Sequence, residues 1–298
     1  MSIHRNFVAV LSFGSLLLGG VGHVLAQTPA VPPPPSVYLQ PSDPAYPTGA
    51  ELGNQGGVHL DFVFRYLTDY VYRGVDFSET GGGEDAPNFQ FDTKVQFDLG
   101  KAPHPYLGIF ANVYNSDPVS RFQEVRPFFG AEWEIRPLTI DAGLNTYIFP
   151  EREDLNTSEF FVEFRFDDSY WLKTDRPVLS PYVYGAYDYE EYLGWYFEAG
   201  VEHELVIEDT PLSFTFFADA AYVANHQFYA TTTDGNDSGF QHYDVGMTVR
   251  YNLNAATSIP PRYGNWMIEG YLTYTDGIDD ELLADTQLWG GAGLRFRY

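Results

Sequence analysis

Residues 285–298 read DTQLWGGAGLRFRY, and this last stretch of the chain decides the fold. Its apolar side chains take one parity, namely Leu288, Ala292, Leu294, Phe296 and Tyr298. The other parity carries Gln287, Trp289, Arg295 and Arg297. A period of two is that of a β-strand with two different faces. Because the chain stops on an aromatic residue at the end of a strong strand, we expect its terminus to close a sheet.

The same alternation recurs along the chain at regular spacing. It predicts strands at 58–75, 89–99, 106–115, 122–135, 138–149, 159–166, 182–189, 194–207, 212–224, 240–253, 265–275 and 286–298. Most of these stretches reach the length of about 9–11 residues with which a tilted strand crosses a bilayer. An even number of strands is the rule for single-chain bacterial barrels. The sequence therefore predicts an all-β fold, a closed antiparallel up-and-down transmembrane β-barrel of about 12 strands.

The chain divides into three segments. Residues 1–26 combine a short positive start, an apolar run and a small residue at Ala26, which predicts a signal peptide cleaved after that alanine. Residues 27–57 contain PAVPPPPSVYLQPSDPAYP. Prolines fix φ and lack an amide donor, so we expect an extended, proline-rich periplasmic linker there. Residues 58–298 form the predicted outer-membrane barrel.

Composition excludes one class of partner and supports the barrel. A formal net charge of -25 makes nucleic acid an unsuitable partner, because binding phosphates requires a basic surface. Aromatic residues make up 17% of the chain, which suits a barrel with aromatic girdles. The mean hydropathy of -0.25 is that of a soluble protein. That average is uninformative here, since strands that alternate apolar and polar residues cancel in it.

The predicted connections differ between the two ends of the barrel. The set 76–88, 115–121, 150–158, 190–193, 225–239 and 276–285 contains long and acidic loops, whereas the opposite set is mostly short, as in a membrane barrel. Acidic loop tips favour solvation, with divalent bridging to lipopolysaccharide phosphates as the weaker alternative. The expected partners are outer-membrane lipid, lipopolysaccharide, small-molecule solutes and the barrel-assembly machinery, for which Phe296 and Tyr298 are the candidate signal.

The polar parity of the strands predicts the residues that line the lumen. Candidates for a constriction are Asp61, Arg65, Asp69, Arg73, Asp92, Lys94, Asp98, Arg126, Glu132, Glu163, Arg165, Glu202, Asp244, Arg250, Arg295 and Arg297. Acids outnumber bases on this parity as a whole, so an open pore would favour cations. The strand that closes the barrel is a basic exception.

Charge complementarity predicts the register of the first two strands. If paired residue numbers sum to 163, Asp69 faces Lys94 and Arg65 faces Asp98, which would stabilise the sheet. We expect that register, with the last strand pairing on the other side of 58–75.

No catalytic or cofactor motif emerges from the sequence. There is no His-x-Ser pair, metalloprotease pattern or phosphate-binding glycine loop. His203 lies between two glutamates and His242 precedes Asp244 by two residues, and each fits a polar network in the lumen better than a catalytic pair. We expect no enzyme activity, no cofactor and no metal site.

Thr68 to Val75, reading TDYVYRGV, resembles the opening motif of the TorF-like family of porins. The stretches YLGIFAN at 106–112 and GWYFEAGV at 194–201 are similar in style to that family's strands. The resemblance implies an outer-membrane β-barrel and supplies no catalytic residue. This chain departs from the pattern at Asp76-Phe77-Ser78 and in its proline-rich leader.

The function predicted from these observations is a porin-like barrel for passive diffusion of small cationic or neutral solutes. The main alternative is a closed structural or surface-interaction barrel whose lumen a charged network blocks. An outer-membrane hydrolase and a soluble secreted β-protein are further alternatives. The state of the lumen separates the first two, because barrels of about 8 strands are filled and those of about 16 conduct.

Overall fold

The computed structural model describes residues 57–78, 87–114, 123–150, 152–231 and 237–298. The predicted signal peptide, almost all of the proline-rich linker and the glycines at 81–83 lie outside these ranges. The long strands are β1 (Val58–Leu67), β4 (Asn88–Phe97), β5 (His104–Tyr114), β6 (Glu124–Ile135), β7 (Leu138–Tyr147), β8 (Thr157–Phe166), β9 (Tyr182–Asp188), β10 (Trp195–Val206), β11 (Leu212–Ala224), β12 (Ser238–Asn252), β13 (Asn265–Gly277) and β14 (Gln287–Arg297). The short elements are β2 (Val71–Tyr72), β3 (Val75–Asp76), α1 (Ser169–Leu172), α2 (Leu253–Thr257) and two 3-10 turns, Glu153–Leu155 and Pro261–Tyr263.

The twelve long strands form one closed barrel in which each strand pairs antiparallel with its neighbours in the chain. The first and last strands close it, with Asp61 opposite Arg297 and Leu67 opposite Gly291. Leu60 and Tyr298 exchange backbone hydrogen bonds of 2.7 and 2.8 Å, so the final residue continues the seam. The predicted barrel of about 12 strands is confirmed, as is the pairing of the last strand with the first. Among the described residues, no helix combines the length and apolar character needed to span a bilayer.

The two faces of the wall follow the sequence alternation. On β1, the apolar parity is exposed or half-buried, whereas His59, Asp61 and Arg65 of the other parity are buried. The outer face of the barrel is a band of exposed apolar side chains, including Leu107, Phe129, Phe160, Val183, Phe240 and Val245. Phe296 and Tyr298 lie on this face, with the Phe296 ring 4.5 Å from Trp266 and 6.4 Å from Tyr298. Their recognition by the assembly machinery stays a prediction.

The predicted register of the first two strands is wrong. Asp61, not Asp69, lies opposite Lys94, and Arg65 lies opposite Gln90, so paired numbers sum to 155 rather than 163. The cause is the length of β1, which ends at Leu67 instead of Val75. Asp69 therefore follows the last residues of β1, and Asp98 follows the last residue of β4. These two positions are at opposite ends of the barrel because β1 and β4 are antiparallel.

Beyond Leu67 the chain leaves the wall and turns into the barrel. β2 and β3 pair as a small hairpin, Val71 with Asp76 and Tyr72 with Val75. The two residues between them, Arg73 and Gly74, have φ angles of 50° and 77°. Positive φ at both central residues is the requirement of the type I′ turn that tight hairpins favour. We call residues 68–78 the lumen hairpin.

The connections define two ends of the barrel. The segments 98–103, 136–137, 167–181, 207–211 and 253–264 lie at what we call the turn end, together with Tyr298. Two of these, 167–181 and 253–264, are long, and they contain α1 and α2. The lumen hairpin and the segments 189–194 and 225–231 lie at the opposite, loop end. The lumen hairpin enters the barrel from there.

Candidate functional site in the barrel lumen

The lumen hairpin fills the interior near the loop end. Every residue from Asp69 to Ser78 is buried, and Val75 and Ser78 are 0% exposed. Its side chains Tyr70, Tyr72, Val75 and Phe77 belong to a buried cluster with aromatic residues of the wall, including Phe110, Tyr147, Tyr184 and Tyr196. The predicted strand 58–75 would place Tyr70 and Tyr72 on its apolar, lipid-facing parity, and that placement is wrong because the strand ends at Leu67. The hairpin therefore occupies the lumen near the loop end.

Arg73 at the tip of the hairpin makes a bidentate contact with the wall. Its guanidinium forms two parallel hydrogen bonds of 2.8 Å to the carboxylate of Glu159 on β8. Bidentate arginine–carboxylate pairs fix geometry as well as charge. Glu159 also accepts from Asn145 at 2.9 Å and from the Tyr147 hydroxyl at 2.7 Å. The Arg73 guanidinium lies 4.2 Å from the centre of the Tyr196 ring, which adds a cation–π contact.

A second buried charge pair holds the base of the hairpin. Arg126 donates to Glu124 at 2.7 Å, both on β6, and each is 1% exposed. The Tyr70 hydroxyl donates to the other oxygen of Glu124 at 2.5 Å. Tyr72 and Tyr147 share a hydroxyl hydrogen bond of 2.7 Å. Each tyrosine of the hairpin therefore has a polar partner on the wall.

Backbone contacts tie the turn to the opposite side of the barrel. The amide of Asp285 donates to the Gly74 carbonyl, and the amide of Asp76 donates to the Asp285 carboxylate, both at 2.7 Å. The Gln241 side chain on β12 donates to the Arg73 carbonyl at 3.0 Å. These bonds reach β12 and the segment before β14, whereas Arg73 reaches β8. The hairpin thus spans the lumen.

Gly74 lies against the ring of His242. A side chain at this position would place its Cβ 2.6 Å from the ring, and its φ of 77° is strained for any L-residue with a Cβ. We expect Gly74→Ala to lower the free energy of unfolding by about 1–2 kcal/mol from the backbone conformation alone, with a further loss from the clash. Gly100→Ala is the matched control, because Gly100 has a φ of 74° with nothing within 4 Å. Equal losses in urea unfolding would contradict the close packing at Gly74.

A cavity of about 420 Å³, a volume that includes space open to solvent, lies between the hairpin and the loop end. We call it the vestibule. Its aromatic lining consists of Tyr72, Phe77, Tyr147, Phe149, Tyr192, Phe228 and Tyr229. Its ionisable lining consists of Arg73, Glu124, Glu159, Asp188 and His226. Three carboxylates and one guanidinium make this surface acidic.

His226 is a buried group in the wall of the vestibule, outside the strands. Its ring packs between those of Tyr192, at 5.8 Å, and Tyr229, at 4.7 Å. Burial, and after it the positive charge of Arg73, lowers the pKa of His226 to about 4. The imidazole is therefore neutral at pH 7.

We expect acid to weaken this region through His226. Between the ordinary pKa of 6.5 and the folded value of about 4, only the unfolded chain takes up the proton. The stability that the neutral ring contributes is thus complete above about pH 6.5 and is lost as the pH falls towards 4, by about 3 kcal/mol at most. Urea unfolding from pH 7.5 to 4 measures the loss. His226→Gln should flatten that pH dependence, and an unchanged slope would contradict the assignment.

Towards the turn end, a basic cluster lines the closing seam. Its members are Arg65, Arg250, Arg295 and Arg297, with the acids Asp61 and Glu269 between them. Arg250 contacts Glu269 at 2.7 Å, and Asp61 contacts both Arg297 at 3.0 Å and Arg295 at 3.3 Å. The arginines predicted at the closing seam therefore belong to a cluster on four neighbouring strands, β12, β13, β14 and β1.

The facing wall is acidic. Arg165 bridges Glu163 and Glu202 at 3.1 and 3.2 Å. Glu198 accepts from the hydroxyls of Tyr182 and Tyr196 at 2.8 and 2.7 Å. Lys94 lies 4.3 Å from the centre of the Tyr106 ring, whose hydroxyl donates to Asp141. Tyrosine hydroxyls therefore satisfy several of the buried carboxylates.

The predicted site residues fall into four groups. The structure places these in the buried lumen wall: Asp61, Arg65, Lys94, Arg126, Glu132, Glu163, Arg165, Glu202, Asp244, Arg250, Arg295 and Arg297. Asp69 and Arg73 are buried in the lumen hairpin instead, and Asp92 is half-buried on β4. Asp98 is exposed at the turn end, where it accepts from the Gly100 amide at 2.7 Å, so its placement in the lumen is wrong. Whether any of them forms a constriction stays a prediction.

Sequence reasoning missed the inward-facing tyrosines and Glu124. Tyrosine is typical of the outer girdles of a barrel, so its hydroxyl gave no sign of a lumen position. Tyr182 and Tyr184 do share the parity that is buried on β9, and that alternation was the available signal.

No family model matches the sequence, and no curated protein matches it. Solved structures with a similar barrel include the KdgM porin, at 8% identity and a TM-score of 0.45 over 79% of this chain and 98% of that one. The NanC porin has 12% identity and a TM-score of 0.47 over 80% and 98%. The COG4313 outer membrane channel from Pseudomonas putida F1 has 7% identity and a TM-score of 0.46 over 82% and 96%. The resemblance to the TorF-like family stays a prediction.

Proposed function

We propose that this chain is an outer-membrane, porin-like barrel whose lumen the hairpin closes, and that small cationic or neutral solutes pass when the hairpin leaves the lumen. The proposal assigns no catalytic residue. Outer-membrane lipid, lipopolysaccharide and the barrel-assembly machinery are its proposed partners.

The outer face supports a membrane location. Exposed apolar side chains encircle the barrel, and a soluble protein rarely exposes so large a continuous apolar surface. In a bilayer the same band faces lipid, while the charged parity is kept inside. The predicted signal peptide is consistent with export to the envelope. The loop end would then face outside and the turn end the periplasm.

The single observation that carries the proposal is the lumen hairpin itself. It is a short segment inserted into an already closed wall, and the twelve long strands form a complete sheet without it. Its removal would leave a lumen lined by charged side chains of the seam and of the facing wall. A barrel of 12 strands is intermediate between small barrels, whose interior is filled by side chains, and large barrels, which hold an aqueous channel. An inserted segment can therefore decide whether it conducts.

Charge and aromatic lining support the solute class. The vestibule has three carboxylates against one guanidinium, and aromatic faces attract cations. A solute approaching from the loop end meets this surface first.

The second candidate is a permanently closed barrel that serves structure or surface interaction. The observation in its favour is the pair of Arg73 with Glu159, which is buried on both sides and bidentate. Removing one partner from such a pair leaves an uncompensated charge, so the closed state is strongly held.

Planar bilayers test the proposal. We expect the refolded barrel to show infrequent, cation-selective openings, measured by the reversal potential across a potassium chloride gradient. Liposome swelling with neutral sugars of increasing size would measure the size limit. Anion selectivity would contradict the solute class. A silent barrel, together with silence of a variant that lacks the hairpin, would favour the permanently closed alternative.

A further inference from the structure

We propose that Asp219, His242 and Asp244 form a binding site for a divalent transition-metal ion of the zinc type in the lumen wall. This inference goes beyond the proposed function and does not depend on it. The site lies beside the tip of the lumen hairpin, because the His242 ring packs against Gly74.

The pairing of β11 with β12 places two carboxylates directly opposite each other. Asp219 and Asp244 are register partners, and both point into the lumen, where they are 6% and 0% exposed. Like charges directly opposite each other destabilise a sheet. A cation between them would reverse that effect.

A β-bulge brings His242 to the same place. Ala220 pairs with Tyr243 and Tyr222 with Phe240, so two residues of β12, Gln241 and His242, lie opposite one residue of β11. Both are 0% exposed, which means that the bulge turns two consecutive side chains inward. Bulges often re-aim a side chain at a functional site. Here Gln241 bonds the hairpin, and His242 turns towards the carboxylates.

The geometry suits a small metal ion. One ligand atom from each residue lies within 4.8 Å of the other two, and Nε2 of His242 is 3.2 Å from Oδ2 of Asp244. Ligand atoms about 2.0–2.1 Å from a tetrahedral zinc ion are about 3.3 Å apart.

The carboxylates have unused coordination capacity. Both oxygens of Asp219 lack a hydrogen-bond donor among the residues that the structure describes, and so does Oδ2 of Asp244. The Tyr182 hydroxyl, which lies near Asp219, donates its single hydrogen to Glu198. Buried polar atoms are normally satisfied, so these orphaned oxygens point to a missing ligand.

An outer layer of bonds orients the site. The Thr275 hydroxyl donates to Oδ1 of Asp244, and the Trp289 indole donates to that hydroxyl at 3.1 Å. Such partners hold a metal-binding carboxylate in place and leave its other oxygen for the ion. One imidazole with two carboxylates favours zinc and similar ions over magnesium or calcium, which prefer oxygen alone.

Metal binding to the tag-free, refolded barrel tests the site. We expect about one zinc ion per chain in equilibrium dialysis, as in a closed mononuclear site. The double variant Asp219→Asn with Asp244→Asn should weaken binding at least about tenfold, which is the lower end of what even an outer-layer loss costs. Asp92→Asn is the matched control, because it removes a lumen-facing carboxylate four strands away. Heat-modifiable gel mobility checks that each variant folds.

Cobalt provides a measurement that needs no variant of the carboxylates. Bound Co²⁺ should give visible absorption of a low-symmetry site, and His242→Gln should change that spectrum. Absence of the band in the wild-type barrel would overturn the proposal. So would zinc binding that survives the double Asn variant but is lost in His104→Gln, since His104 and Asp98 form an exposed pair at 3.6 Å. A failure to bind zinc at micromolar concentration, with the two aspartates sharing a proton instead, would also overturn the proposal.

Discussion

Replacing residues 69–77 with four glycine and serine residues is expected to convert the closed barrel into a steady conductor. The hairpin occupies the lumen at the loop end, so we expect its removal to open a path through the barrel. We expect the mean conductance per barrel in planar bilayers to rise at least about tenfold, because filled and water-lined barrels differ that clearly. The wall should persist, since none of the replaced residues belongs to the twelve long strands.

The control is the same linker in place of 173–176, an exposed stretch of a turn-end connection. It should leave the conductance at the wild-type level. Equal conductance of the wild type and the hairpin deletion would contradict the hairpin as the closing element. Cation selectivity of the opened barrel would extend the test to its charged walls.

Glu159→Gln is expected to release the hairpin. The change removes the charge that compensates Arg73, and breaking a buried ion pair on one side costs about 3–5 kcal/mol. The chain has no cysteine, so Val75→Cys can report on docking through thiol labelling. Val75 is 0% exposed, and labelling requires the hairpin to leave. The labelling rate should rise by on the order of a hundredfold or more, at about 1.4 kcal/mol per factor of ten.

Two comparisons decide the origin of that effect. Replacing both Arg73 and Glu159 with Met should restore much of the protection, because no buried charge is left alone. Arg152→Gln breaks an exposed pair with Asp154 and should leave the labelling rate unchanged. If the double Met variant labels as fast as Glu159→Gln, the ion pair is not what holds the hairpin.

The wall of the barrel could be predicted from the sequence because the alternation of polar and apolar residues within each strand shows which side chains are buried. Alternation at Val58 to Leu67 tells which side chains face in, whatever the neighbouring strand is. The number of strands, their order and the pairing of the first strand with the last followed from that alternation. Register did not, since Asp69 with Lys94 and Asp61 with Lys94 are equally good charge pairs.

The hairpin could not be predicted from alternation. Tyr70 and Tyr72 continue the period of β1, and nothing local separates a strand that ends from one that continues. The Arg73-Gly74 pair was the local signal for a turn, and it was visible in the sequence. The space that receives the turn is formed by residues from 54 to 168 positions away, such as Glu124 and Gln241. The same eight residues that carry the resemblance to the TorF-like family thus form most of the hairpin.

The candidate metal site lies beyond sequence reasoning for a related reason. Asp219 and His242 are on different strands, and no fixed spacing joins them. A bulge then adds one residue to β12, which changes the parity of Gln241 and brings it inward beside His242. Such a bulge leaves no mark in an alternation of polar and apolar residues.

The contact between Asp285 and the hairpin also sets an order of events during folding. Asp76 and Asp285 are 209 positions apart, and contacts of such long sequence separation form late. Asp285 immediately precedes the last strand, so the hairpin obtains this anchor only when the C-terminal end of the chain has arrived. Sealing of the interior is therefore coupled to completion of the wall. A chain that stalls before its final strand therefore lacks this anchor for the turn that follows its first strand.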